Sequence, residues 1–277
     1  MFNKSKAVSL ALIAALGTFL WSCNDDESST PNAPTCNLKT ATTGLGADAE
    51  LLSFTYNTQN QITSLSSTSV NGNLIYQNNR VILNIPDVGI ADTMLLQGGK
   101  WFSSYSSSEF EEDDSTVTKI NTKITPTFTG NLVTQIKSVS IEETRVNGVL
   151  ESIDKDSVIT TLTYNDKGNV IRITQPGRGS YEFSYSDTTA NVKVNNYFNG
   201  SYFSEFLGEG IIVPFLTGNL KLCIAPPSSV FNSQTPNEKE FFRGIKSDAN
   251  KNLTEISLYE GISTNPFDTY KFTYDCK

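Results

Sequence analysis

Cys23 is the first residue of this 277-residue chain whose type and setting point to a reaction. It ends the run Leu20-Trp21-Ser22-Cys23, with an aliphatic residue three positions before the thiol and a small one directly before it. At such a box a lipoprotein precursor is cleaved and its new N-terminal cysteine acylated. Lys4 and Lys6 supply a positive start, and residues 7–21 form an uninterrupted run of apolar and small residues. That run is too short to cross a bilayer as a helix and has the length of a signal-peptide core. Trp21 departs from the pattern, and the alternative is an ordinary signal peptide with a chance cysteine. The expected organisation is a lipoprotein signal peptide over 1–22, a flexible tether over 23–35 beginning at the lipidated Cys23, and a single β domain over 36–277. Residues 28–34 are rich in Ser, Thr, Pro and Asn and have nothing to bury, as a tether requires.

The other reactive side chains are more notable for what they exclude. No histidine occurs anywhere. That removes Ser-His-Asp and Cys-His machinery, histidine-ligated metals and the side chain best suited to proton transfer near neutral pH. The chain carries 21 basic and 29 acidic side chains, and signal-peptide removal takes away two of the basic ones and no acid. So acidic a chain disfavours nucleic acid and anionic headgroups as direct ligands. An enzyme would have to rest on carboxylates, lysine or tyrosine. Glu182, Glu205, Glu209, Glu255 and Glu260 are the possible members of a glycosidase pair, which needs two carboxyl groups roughly 5 to 10 Å apart across a cleft. The run Glu109-Phe110-Glu111-Glu112-Asp113-Asp114 offers clustered oxygen ligands but lacks the glycine and ligand spacing of a calcium loop. It is expected to be a solvated hairpin tip, with no metal and no cofactor.

Beyond Cys23 the thiols are Cys36, Cys223 and Cys276. In an exported protein a disulfide is expected, and three thiols leave one over. Cys36 precedes the first expected strand and Cys276 follows the last, so their pairing would tie the ends of the fold; Cys223 would then be a buried free thiol. Pairing of Cys223 with either partner is the alternative. The richest aromatic stretch holds Tyr197, Phe198, Tyr202, Phe203 and Phe206. It is the weak candidate for a binding surface, by stacking on sugars or forming an interface, against the plainer reading that it fills core. The apolar residues 211–216 beside it suit either core or a partner-covered patch.

These side chains must be positioned by strands. Val158, Thr160, Leu162 and Tyr164 share one face of a period-two run, as do Tyr181, Phe183 and Tyr185, and Tyr270, Phe272 and Tyr274. β-branched and aromatic residues alternating with polar ones mark half-buried antiparallel strands. Gln175-Pro176-Gly177-Arg178-Gly179 reads as a hairpin loop, and Asn71-Gly72 and Asn199-Gly200 as further tight turns. Residues 203–207 and 237–242 could each make a helical turn or two. One motif recurs: Tyr164-Asn165-Asp166-Lys167-Gly168-Asn169 followed by Val170 and Ile173. Tyr56-Asn57 with Asn60, Ile62 and Leu65 is a second copy, and Val133 with Ile136 and Leu253 with Ile256 preserve the second half. Asn, Asp and Gly suit the tight reversal, while the three-residue apolar step breaks strict alternation and predicts a bulge or a residue folded over the turn.

The motif is similar to the tyrosine-aspartate repeats of large secreted β-shell proteins. It resembles still more the porin-like-fold family of uncharacterised Bacteroidota lipoproteins, loosely over 51–274 and closely only over 164–173. Asp25-Asp26-Glu27 behind Cys23 resembles the surface-export signal of lipoproteins from the same phylum. Asp92-Thr93-Met94, Asp114-Ser115-Thr116, Asp156-Ser157-Val158 and Asp187-Thr188-Thr189 match its short O-glycosylation acceptor pattern. The resemblance implies a fold and an address, not a chemistry. The expected fold is all-β, an extended antiparallel meander forming a sandwich or open barrel. The expected role is a non-enzymatic lipoprotein of the outer membrane and cell surface, held by its lipid anchor. There it would bind as a component or accessory of an outer-membrane protein complex. The alternative is a carboxylate-based glycan hydrolase or glycan-binding surface module.

Overall fold

A computed structural model describes residues 36–44, 49–111, 115–177, 179–185, 207, 214, 220, 227–232, 240–249, 252–261 and 263–276. Strands β1 (Cys36–Thr43), β2 (Glu50–Tyr56), β3 (Ile62–Ser66), β4 (Asn71–Gln77), β5 (Arg80–Ile85) and β6 (Ile90–Gln97) are short. The next four are long: β7 (Lys100–Glu111), β8 (Thr116–Thr129), β9 (Leu132–Val146) and β10 (Val149–Tyr164). Short strands then complete the chain: β11 (Val170–Gln175), β12 (Gly179–Tyr185), β13 (Pro227–Asn232), β14 (Glu240–Ser247), β15 (Leu253–Glu260) and β16 (Asp268–Cys276). Each pairs antiparallel with its neighbours in sequence. The expected all-β meander is therefore what forms. A sandwich or open barrel is expected for it; the ring is instead closed, because β1 pairs with both β2 and β16.

Closure is fastened where the ends meet. Cys36 stands opposite Cys276 in the β1–β16 register, and the two form a disulfide across a sequence separation of 240. A loop that long stabilises by about 5 kcal/mol on the chain-entropy estimate. Cys223 lies outside the described residues. The chain direction puts Cys36, Cys276 and the turns after β2, β10 and β14 at one end of the barrel, the terminal end. The β7–β8, β9–β10 and β11–β12 hairpins are at the other, the far end.

The recurrent motif builds the terminal end. Asn57 and Asn165 each turn a side-chain oxygen onto two following amides, to Gln59 and Gln61 in one turn and to Lys167 and Asn169 in the other. Asp248 does the same to the Asn252 amide. The three-residue apolar step is a bulge in all four copies: the register skips one residue, so Thr63, Ile171, Thr134 and Thr254 have no opposite number. One extra residue restores the face, and Ile62 with Leu65, Val170 with Ile173, Val133 with Ile136 and Leu253 with Ile256 all turn inward. A tyrosine beside the turn then reaches across to a backbone carbonyl: Tyr56 to Leu38, Tyr164 to Val133, Tyr185 to Val170 and Tyr274 to Leu253, at 2.5–2.8 Å. A buried hydroxyl needs such an acceptor.

Two expected local features differ. Asn71-Gly72 is not a turn but the start of β4, and Gly72 faces the core. A Cβ there would come within 2.9 Å of Leu65 and 3.0 Å of Ile85, so the glycine is explained by close packing. The tight turn falls instead at Asn147-Gly148, where φ is 51° and 78°, as a hairpin of that hand requires. Residues 240–242 open β14 rather than a helical turn, because Phe241 and Phe242 pair with Tyr259 and Leu258. Asn199-Gly200 and residues 203–206 lie outside the described residues.

A single apolar cluster fills the interior, with contributions from around the ring: Leu38, Leu52, Leu65, Leu83, Trp101, Ile124, Ile136, Ile173, Ile256 and Phe272. Leu207 and Leu220, from the connection between β12 and β13, join it. Sixteen strands in a round barrel would leave a water-filled channel, so side chains from a connection are needed to fill it. The outward positions are mostly polar, among them Asn73, Gln77, Arg80, Asn84, Lys119, Lys123, Lys137, Arg172, Glu182, Lys271 and Thr273, with the exposed Leu51, Ile75 and Phe102 scattered between them. Membrane barrels have the opposite polarity, an apolar band outside and a polar lumen.

Candidate functional site

The four long strands rise above the rest of the ring at the far end. Their lower inward positions belong to the core, the last of them Trp101, Ile124, Ile136 and Leu162. Above that level hydroxyl side chains predominate on the inner face, with Ile120 and Phe110 among them. Register aligns Asp92, Ser106, Thr122, Ser140 and Asp156 in one row across β6 to β10. Thr122 and Ser140 share a hydrogen bond of 2.9 Å, Gln175 donates to Thr160 at 3.0 Å, and the Trp101 indole donates to Ser104 at 2.8 Å. Asp92 is wholly buried at one end of the row, and Asp156 is exposed at the other.

The wall ends abruptly at β10. β11 pairs with β10 only over Thr161 to Tyr164, whereas β9 pairs with it from Val149 to Thr161. Residues 149–160 are therefore a free strand edge, and no described residue pairs with them on the side away from β9. At about 3.3 Å per residue the edge is about 40 Å long. Residues 149–157 are exposed on both faces, so this part of the sheet packs on nothing described. Where β11 stops, an open hollow of about 420 Å³ lies between the edge and the β11–β12 hairpin tip, lined by Asp156, Ser157, Val158, Ile159, Pro176 and Gly177. The Ser157 amide donates to the Asp156 carboxylate at 2.7 Å. Glu142 stands directly opposite Asp154, next to Asp156, so the inner side of this corner is acidic. The outer side carries Ile141, Ile153 and Ile159, which are 38%, 57% and 40% exposed, and Lys123 lies 5.5 Å from the Tyr105 ring centre.

The residues singled out in the sequence are scattered. Glu182 is paired with Arg172 at 2.6 Å and Glu255 with Lys246 at 2.7 Å, both on the outer surface, and Glu260 ends β15. They do not converge on one cleft. Glu205 and Glu209, and the aromatic candidates Tyr197, Phe198, Tyr202, Phe203 and Phe206, lie outside the described residues, as does Cys23. Of residues 211–216 only Pro214 is described, and it is buried. Glu109 and Glu111 are exposed at the end of β7, Glu109 opposite Lys119, and no metal-holding cluster occurs among the described residues. Of the acceptor-like tripeptides, Ser157 is exposed on the free edge, whereas Thr93 is half-buried between the buried Asp92 and Met94. The edge itself was missed. Its signal was present: from Glu151 to Asp156 charges fall on both faces, so neither face of that strand can be buried.

No family model matches the chain, and no curated protein matches it. Among solved structures the chain is similar to a porin-like protein from Bacteroides vulgatus ATCC 8482, with a TM-score of 0.60 over 86% of this chain and 98% of that one, at 12% identity. The likeness is one of fold.

Proposed function

We propose that the protein is a non-enzymatic, lipid-anchored component of the outer membrane, exposed at the cell surface, where it binds a partner as an accessory of an outer-membrane protein complex. The polarity of the barrel carries this reading. A ring packed with Leu, Ile and Trp inside leaves no polar lumen for conduction. An outer face on which Lys, Arg, Asn and Thr interrupt the few exposed apolar residues forms no continuous band for lipid. Attachment must come from elsewhere, and Cys23 in its cleavage box supplies it. The tether would join the barrel at Cys36, on the terminal end, which leaves the raised wall of β7 to β10 directed away from the anchor. The fold's likeness to a porin-like protein of a Bacteroides species supports the outer-membrane setting.

The test is an affinity pull-down from native membranes in mild detergent with a C-terminal tag. Stoichiometric co-recovery of an outer-membrane protein is expected; recovery of the protein alone under several detergents sinks the accessory reading and turns attention to glycans. Cys23→Ser is expected to release the protein from membranes, and unchanged retention refutes the anchor.

A further inference from the structure

We infer that the free edge of β10, residues 149–160, takes up an extended segment of the partner polypeptide, added as a strand in the lane that β11 leaves open. The inference rests on the partner-binding reading above and names its surface. The edge offers a row of backbone donors and acceptors with no described strand beside it, and only another extended backbone matches that row along its length. In an antiparallel strand alternate residues direct their backbone N–H and C=O groups to the same side, so about half of the edge's residues present them to the open lane. The Ser157 amide, bonded to the neighbouring Asp156 carboxylate, is held in reserve by a side chain that can swing away. The hollow at Pro176 and Gly177 marks where the incoming strand would abut the end of β11.

The side chains state the chemistry of the occupant. Asp154 and Asp156 stand on the inner face of the edge beside Glu142, so the residues opposite them should be basic, two apart. Ile153 and Ile159 stand on the outer face near Ile141, with Lys155 between them, so the intervening residues should be uncharged and apolar rather than basic. A second copy of this chain pairs poorly about the middle of the edge. A two-fold pairing places like faces opposite, and centring it on residue 154, 155 or 156 sets Asp154 against Asp154, Asp154 against Asp156, or Asp156 against Asp156. Like charges directly opposite are unfavourable. The occupant is thus a heterologous strand with alternating basic and apolar residues.

The probe is a labelled peptide of about twelve residues, the length of the edge, alternating Lys and Val, with a peptide of the same composition in two blocks as control. The full protein, purified from membranes in mild detergent, is titrated by fluorescence anisotropy, and amide exchange is followed with and without peptide. The alternating peptide is expected to bind at least roughly tenfold more tightly than the block peptide, about 1.4 kcal/mol, and to slow exchange within 149–160. Ser157→Pro removes the amide that bonds the Asp156 carboxylate and puts a ring on the edge, and is expected to weaken binding roughly tenfold or more. Should Ser157→Pro disturb the fold, the double variant Asp154→Asn, Asp156→Asn leaves the backbone intact and is expected to lose the preference for the alternating peptide. Equal binding of the two peptides, binding that leaves 149–160 exchanging freely, or binding unchanged in both variants overturns the inference. So does a peptide-free dimer with 149–160 already protected, which assigns the edge to a second copy. Recovery of a membrane partner by Ser157→Pro at the wild-type level refutes the edge and leaves the proposed function standing.

Discussion

Strands β2 to β6 and strands β7 to β10 follow the same alternation, yet they spend their inward positions differently. In the first group these are Leu52, Phe54, Leu65, Leu74, Leu83, Ile85 and Met94, all buried in one cluster. In the second, above Ile124 and Ile136, they are mostly polar: Ser106, Ser108, Thr118, Thr122, Ser140 and finally Asp156 and Asp154, with only the half-buried Ile120 and Phe110 among them. Of these strands only β10 keeps an unpaired side among the described residues. Strands β7 to β9 are paired on both sides as β2 to β6 are, so pairing does not distinguish them. Apolar area removed from water does, at about 25 cal/mol per Å². The body is held by its core, while the raised wall is held by its ladder and by bonds between hydroxyls such as Thr122 and Ser140, and keeps an edge that nothing described covers.

The contrast can be broken most severely at the ring's fastening. Cys36→Ser with Cys276→Ser is expected to lower stability by about 5 kcal/mol at most, read as a fall in the denaturant midpoint under oxidising conditions. In the core, Ile136→Ala should cost about 2 to 5 kcal/mol, because Ile136 is fully buried and its removal leaves a cavity. A smaller effect comes from the tyrosines at the terminal end. Burial raises the phenols of Tyr56, Tyr76 and Tyr274 above their ordinary value of 10.0. A raised folded value means the stabilisation is complete below the unfolded value and is lost as pH climbs past it. Stability should therefore fall above about pH 10, and Tyr274→Phe, at a cost of about 1 kcal/mol for its bond to Leu253, should make that fall shallower in urea melts at alkaline pH. Smallest of all, Ile153→Thr on the exposed wall should change stability by under about 0.5 kcal/mol; a loss comparable to that of Ile136→Ala would mean the wall is packed against part of this chain.

Much of the terminal end was legible. The Asn-led turns and the tyrosines beside them are local, and an apolar step of three residues can be inward only if a bulge intervenes, so the repeated motif already specified its geometry. Asn71-Gly72 misled because a glycine that permits a turn and a glycine that permits Leu65 and Ile85 to approach look alike in one dimension. The carboxylates misled in another way, since Glu182 and Glu255 acquire their meaning from Arg172 and Lys246 on neighbouring strands.

By itself, the order of residues determined the strand alternation, the turns, the bulged repeats, the cysteines at either limit of the domain and the absence of histidine chemistry. These depend on neighbours within a few positions. Only the tertiary structure decided that β1 and β16 meet, that the core stops at Ile124 and Ile136, and that β10 runs on past the end of β11. A strand's edge is free or paired according to where a different strand ends, and that length is set by the register of the whole ring.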